Sequence, residues 1–184
     1  MGTTCSGKST IAKRLQEAFD YGRINVGEEF RKRYPPSYFD GKGAMEKTEK
    51  ETREIYSELW NKNYNKKIVI VEGQPRLQSQ VNWILNHDEV AKLFISVYTD
   101  EETIKERIIQ RFGDDIESIE LSLQRITNDK IQLFDVYTYL ANLGIAFRQL
   151  SNYQLGEASE CLMNYIVTYL TLEKKISMQQ SVLK

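Results

Sequence analysis

The stretch Gly2-Thr3-Thr4-Cys5-Ser6-Gly7-Lys8-Ser9 fits the phosphate-loop pattern G-x-x-x-x-G-K-[ST] at every fixed position. Successive backbone N–H groups of such a loop, with the positive end of the helix behind it, cradle phosphate oxygens. The candidate contacts to donor phosphates are Gly2, Cys5, Ser6, Gly7, Lys8, Ser9 and Thr10. Gly7 lets the backbone approach closely, Lys8 reaches the β- and γ-phosphates, and the Ser9 hydroxyl is the candidate ligand for Mg²⁺. As a purely structural residue, Ser9 would be a helix N-cap. The required helix follows, since Ile11, Ala12, Leu15, Ala18 and Phe19 recur at helical spacing.

Outward from the loop, short apolar runs alternate with helix-period segments, which predicts an α/β protein with a mostly parallel sheet. Ile24 to Val26 reads as a strand end, with a helix starting at Glu28 and stopped by Pro35-Pro36; residues 37–43 read as a loop. Met45 to Asn61 reads as a charged helix. The β-branched run Ile68 to Val71 predicts a strand covered on both faces. A helix is expected over Ser79 to Asn86 and a strand over Leu93 to Tyr98. The acidic start Asp100-Glu101-Glu102 opens a helical pattern that breaks at Gly113 and runs to Asn142. Gly144 marks its stop, and Ile145 to Leu150 is the last strand. Leu162, Tyr165, Ile166, Tyr169 and Leu170 form a final amphipathic stripe, and residues 174–184 read as a tail.

The length of 184 residues suits one domain, 1–184, with no interdomain linker. A net charge of −1 gives no bulk attraction for nucleic acid or membrane surfaces. No apolar run approaches the ~18 residues that span a bilayer, and a glycine loop at the start is not a signal peptide. Two cysteines build no disulfide framework, and one histidine argues against a histidine metal centre. The expectation is a reduced, cytoplasmic monomer.

Arg31 and Arg76 each follow a glycine behind a short strand (Gly27 and Gly73), which directs both to the cleft at the carboxyl ends of the strands. A planar guanidinium grips phosphate oxygens bidentately. A single arginine there is ordinarily a solvated surface group; two of them downstream of a phosphate loop point to a second phosphate. Arg107 and Arg111 lie one helical turn apart, and Arg125 follows on the returning helix. The bland alternative for these is exposed ion pairing, such as Glu102 with Arg107 or Arg111 with Asp115, worth ~0–1 kcal/mol.

With these residues in view, the chain resembles the adenylate kinase-like family of nucleoside monophosphate kinases from Gly2 to roughly Asn152. Ile24-Asn25-Val26-Gly27-Glu28-Glu29-Phe30-Arg31 is similar to that family's acceptor motif, and Glu72-Gly73-Gln74-Pro75-Arg76 to its Asp-Gly-Phe-Pro-Arg turn. The resemblance implies a P-loop NTPase-type three-layer α/β/α fold, an acceptor-binding insert over about 28–66 and a lid over about 107–125. It implies ATP and Mg²⁺ as cofactors, small nucleotides as partners, and transfer of a phosphoryl group from ATP to a nucleoside or deoxynucleoside monophosphate. The implied catalytic residues are Lys8, Arg31, Arg76, Arg107, Arg111 and Arg125. The implied acceptor site is Gly27, Arg31, Gly73, Arg76 and Gln80, with Gln80 on the acceptor base. Glu72 organises the metal through water. Departures at Val26, Gln74 and Leu77 leave the acceptor base open, and Phe112-Gly113 stands where the family usually carries a further lid arginine.

The family's phosphate loop leaves the central strand of the sheet, yet only Met1 precedes it here. The expectation is a central first strand absent or truncated, with about six upstream residues outside this chain. Two alternatives stay open: a P-loop kinase of another small acceptor, and a non-catalytic nucleotide-binding module.

Overall fold

The computed structural model describes residues 1–34, 48–86 and 92–152, with residues 160, 161, 164, 165 and 168. Along the chain run α1 (Lys8–Phe19), β1 (Gly22–Asn25), α2 (Val26–Arg33), α3 (Glu49–Asn63), β2 (Val69–Glu72), α4 (Gln78–Leu85), β3 (Phe94–Tyr98), α5 (Glu101–Phe112), α6 (Ile116–Asn142) and β4 (Phe147–Ser151). The expected loop at 37–43 and the tail at 174–184 lie outside the described residues. So do Leu162, Ile166, Tyr169 and Leu170 of the expected final helix, although Glu160, Cys161, Asn164, Tyr165 and Thr168 are helical.

Local chemistry sets the helix starts. The Asn25 side chain accepts from the Glu28 N–H at 2.9 Å, so α2 begins at Val26, two residues before the expected Glu28. Asp100 caps α5 through the Thr103 N–H at 2.8 Å, and Asp115 caps α6 through the Ser118 N–H at 3.1 Å. Only Gly113, Asp114 and Asp115 separate α5 from α6, so the stretch expected as a lid is a helix–helix turn there.

The strands pair in parallel but form two separate ladders. Gly22 to Asn25 lie in register with Val69 to Glu72, and Phe94 to Tyr98 with Phe147 to Ser151. No ladder joins β2 to β3 among the described residues. Met1 lies beside β3: its amine donates to the Ile95 carbonyl at 2.6 Å, and its carbonyl accepts from the Val97 N–H at 2.9 Å. Among the described residues, no strand lies between β2 and β3. The second strand is covered on both faces as expected, with Ile70 against Ile11 and Leu15 and with Val69 and Val71 against the cluster of Ile24, Phe30 and Ile55. Val69, Ile70 and Val71 are only half-buried, because no described strand pairs along their far edge.

Helices nonetheless cover both faces. Ile11 and Leu15 of α1 meet Ile70, Ile95, Val97 and Leu150 on one side. Val81 of α4 and Val136 and Leu140 of α6 meet Phe94 and Phe147 on the other. Alternation along β3 explains the division, since successive side chains point to opposite faces. The result is a mixed, parallel α/β fold in three layers. No described helix is long and apolar enough to cross a membrane.

Candidate active site

The loop bends through positive φ values at Gly2 (138°), Cys5 (58°) and Gly7 (90°). A Cβ at Gly2 would sit 2.5 Å from the Val97 carbonyl, so glycine is required where the loop passes β3. Gly7 is the N-cap of α1 and supplies no side-chain cap, which leaves the first-turn N–H groups available to an anion. Ser9, considered as an N-cap from sequence, instead lies inside the first turn. It is exposed, and its hydroxyl has no hydrogen-bond partner among the described residues.

Beneath the loop, Ser6 is fully buried. Its carbonyl accepts from Asn152 Nδ2 at 2.7 Å and from Thr99 Oγ1 at 3.2 Å. Lys8 Nζ donates to the Thr3 carbonyl and to Ser6 Oγ at 3.3 Å. Burial, followed by repulsion from Arg76, pushes the Lys8 ammonium down to about 8 against the pull of Asp129 and Glu72. Lys8 and Arg76 line one small pocket together with Gly2, Gly73 and Asp129.

Gly73, at φ 76°, turns the chain out of β2 toward Arg76. That turn is held by Gln80, whose Oε1 accepts from the Arg76 N–H at 2.7 Å. Gln80 is 1% exposed, so in this structure it supports the turn between Gly73 and Arg76 from below. The expected meeting with an acceptor base is not the contact its oxygen makes. Arg76 itself donates through Nε to the Gly73 carbonyl at 3.2 Å and through Nη1 to Asp129 Oδ1.

The five candidate arginines separate into two groups. Arg76 and Arg107 are engaged by the chain's own oxygens. Arg107 Nη2 donates to the Asn152 carbonyl at 3.0 Å, and Nη1 to the Cys5 carbonyl at 3.4 Å and Thr99 Oγ1 at 3.5 Å. It thereby braces the loop instead of standing free over it. Arg31, Arg111 and Arg125 have no ion pair among the described residues. Neither Glu102 with Arg107 nor Arg111 with Asp115 forms. Partial desolvation and the repulsion of Arg111 and Arg125 hold the Arg31 guanidinium below its ordinary pKa. Glu28 and Glu72 pull the other way, and Arg111 and Arg125 are themselves exposed. Arg31 folds over Gly27, where a Cβ would lie 3.5 Å from its Nη1.

Glu72 is 4% exposed, and its Oε1 accepts from Arg23 Nε. Its expected place in a water shell is thus shared with a salt bridge to β1. The oxygen donors fit a magnesium ion that keeps most of its waters and takes its other ligands from phosphates: a free Ser9 hydroxyl, with Glu72 as nearby charge. No cluster of three metal-ligating side chains occurs among the described residues.

Sequence reasoning missed Asp129, Asn152, Thr99 and Arg23. Asp129 carried a readable signal. The buried stripe of α6 runs Ser122, Ile126, Asp129, Leu133, Val136 and Leu140, and a carboxylate on that seam requires partners. Thr4 N and Oγ1 supply two of them, both on Asp129 Oδ2, at 2.6 and 2.8 Å. Asn152 offered no such signal, because it follows the end of β4 without any periodic context.

Two comparisons bear on this arrangement. A family model described as an AAA domain matches residues 1–127. The adenylate kinase of Prochlorococcus marinus (strain MIT 9515) is 29% identical over 154 residues, covering 78% of this chain and 85% of that protein.

Proposed function

The chain belongs to the AAA domain family and is adenylate kinase-like; from that premise we propose that it transfers a phosphoryl group from ATP to a nucleoside or deoxynucleoside monophosphate. The observation that carries this reading is the pocket in which Lys8 of the phosphate loop and Arg76 of the strand-end turn stand together, with three further cations, Arg31, Arg111 and Arg125, that make no ion pair among the described residues. Arg31 is repelled by Arg111 and Arg125 and pulled by Glu28 and Glu72, and neighbouring like charges gain from an anion that joins them. A phosphate seated between them supplies that anion.

In this reading an oxygen of the acceptor phosphate attacks the γ-phosphorus, and the bond to the departing ADP oxygen breaks. Lys8 and the loop N–H groups hold the donor phosphates, and Arg31 and Arg76 hold the acceptor phosphate. Arg111 and Arg125 neutralise charge on the group in flight. Bound Mg²⁺ supplies further charge neutralisation at the donor phosphates, with the Ser9 hydroxyl holding it. No general base is required, because the acceptor phosphate is already an anion. Arg107 shapes the loop from beneath. The acceptor site takes in the insert at about 28–66, and the protein acts in the cytoplasm.

The test is ADP release by the full chain with ATP, Mg²⁺ and a panel of AMP, CMP, UMP and their deoxy forms. One acceptor is expected to stimulate release, and Arg31→Ala to abolish most of that stimulation. No stimulation by any panel member, in a folded chain, sinks the proposal. The split sheet favours one rival, a module that binds nucleotide without turnover. ATP protection in a thermal melt without transfer is its signature, and turnover only with a non-nucleotide acceptor would mark a different small-molecule kinase.

A further inference from the structure

We propose that Asp129 is a positioning residue that ties the phosphate loop to Arg76, fixing the spacing between the donor cradle and the acceptor-binding guanidinium. This inference rests on the phosphoryl-transfer reading above. One carboxylate divides its two oxygens between the two halves of the site. Oδ2 accepts from the Thr4 N–H at 2.6 Å and the Thr4 hydroxyl at 2.8 Å, and Oδ1 accepts from Arg76 Nη1. Thr4 and Asp129 are 125 residues apart in sequence and Arg76 and Asp129 are 53, so no local turn supplies this link.

The chemistry favours a rigid tie. Asp129 is 4% exposed, and a buried carboxylate stripped of one partner is costly, so the three donors are held together. Charge-assisted bonds to N–H groups are also the stronger and more directional kind. Arg76 is fixed at three points: its N–H by Gln80, its Nε by the Gly73 carbonyl and its Nη1 by Asp129. Nη2 alone meets no acceptor among the described residues, which leaves one defined edge of the guanidinium for a ligand oxygen. The same side chains, Lys8, Arg76 and Asp129, wall the pocket between loop and turn. Without the carboxylate, loop and arginine keep their own local supports but lose their common reference point. In-line transfer depends on that spacing, since a misplacement of about 1 Å costs on the order of 100-fold in rate.

The experiment is a kinetic double-mutant cycle in the full chain, using Asp129→Asn, Arg76→Ala and the double variant, with thermal melts of each. Asp129→Asn keeps the shape and removes the charge. It is expected to lower kcat about 100-fold while the KM for ATP moves less than about threefold. In the Arg76→Ala background the same change costs less than about threefold more. Asp129→Glu restores the charge and recovers part of kcat. Where Asp129→Asn fails to fold, Thr4→Val carries the test, with kcat falling about tenfold at unchanged ATP KM. Additive losses in the cycle, a loss confined to KM, or an unaffected Thr4→Val overturn the tie alone. A wild-type chain that transfers phosphate to no acceptor overturns the kinase reading and this inference together.

Discussion

The engaged arginines and the unengaged ones make an instructive contrast. Arg107 and Arg76 sit against the phosphate loop and the strand-end turn, where each gives its N–H groups to carbonyls or to Asp129. Arg31, Arg111 and Arg125 make no ion pair among the described residues, and Arg31 feels the repulsion of the other two against the pull of Glu28 and Glu72. A guanidinium carries five donors in a fixed fork, so its environment alone decides whether it braces the protein or waits for a ligand. The lesson is that an arginine's place in a motif identifies where a charge stands. The oxygens around it identify what that charge does.

Substitution breaks the contrast most directly. Arg31→Ala is expected to cost transfer about 100–1,000-fold, the scale of a lost charge-stabilising donor. Its melting temperature should hold or rise, because a like-charge repulsion is relieved. Arg107→Ala should do the reverse in the melt. Three oxygens lose a donor, and the destabilisation is expected at about 1–3 kcal/mol by denaturant unfolding. If Arg31→Ala destabilises the fold as much as Arg107→Ala does, the division between the two groups fails.

Proton linkage at Lys8 sharpens the picture with a smaller effect. Its folded pKa of about 8 lies below the ordinary 10.5, so the unfolded chain binds more protons between those values. Its contribution to stability therefore improves as pH rises from about 8 toward 10.5, where the cost of burying the ammonium is lifted. Phosphate binding runs the other way, because it needs that ammonium charged. The thermal protection given by ATP should shrink between pH 7 and pH 9, and protection that grows over that range would contradict the assignment. The smallest expected effect is at Cys5, a non-glycine residue at φ 58°. Cys5→Gly should change stability by less than about 1 kcal/mol, since relief of the left-handed conformation is offset by lost packing and a freer unfolded chain.

Much of the fold was legible because its signals are short-range. The helical stripe Ile11, Ala12, Leu15 and the β-branched run ending at Val71 are patterns that backbone periodicity imposes within a dozen residues. Boundaries moved by two residues where a side chain intervened, as Asn25 did in starting α2 at Val26. Other contacts were not legible: Glu72 answers to Arg23 on a neighbouring strand, 49 residues away, and the oxygen of Gln80, which was expected on an acceptor base, meets the Arg76 N–H four residues back.

By itself the sequence determined the phosphate loop, the alternation of strand and helix, and the helices on which the arginines stand. Each of these depends on residue type and spacing along one stretch of chain. The tertiary structure alone decided that Met1 exchanges two backbone hydrogen bonds with β3. It also decided that Asn152 holds the loop from 146 residues away, and that one carboxylate of α6 joins Thr4 to Arg76. The reason is physical: partner choice for a buried polar group is settled by what packing brings within about 3 Å, and no spacing rule encodes that distance.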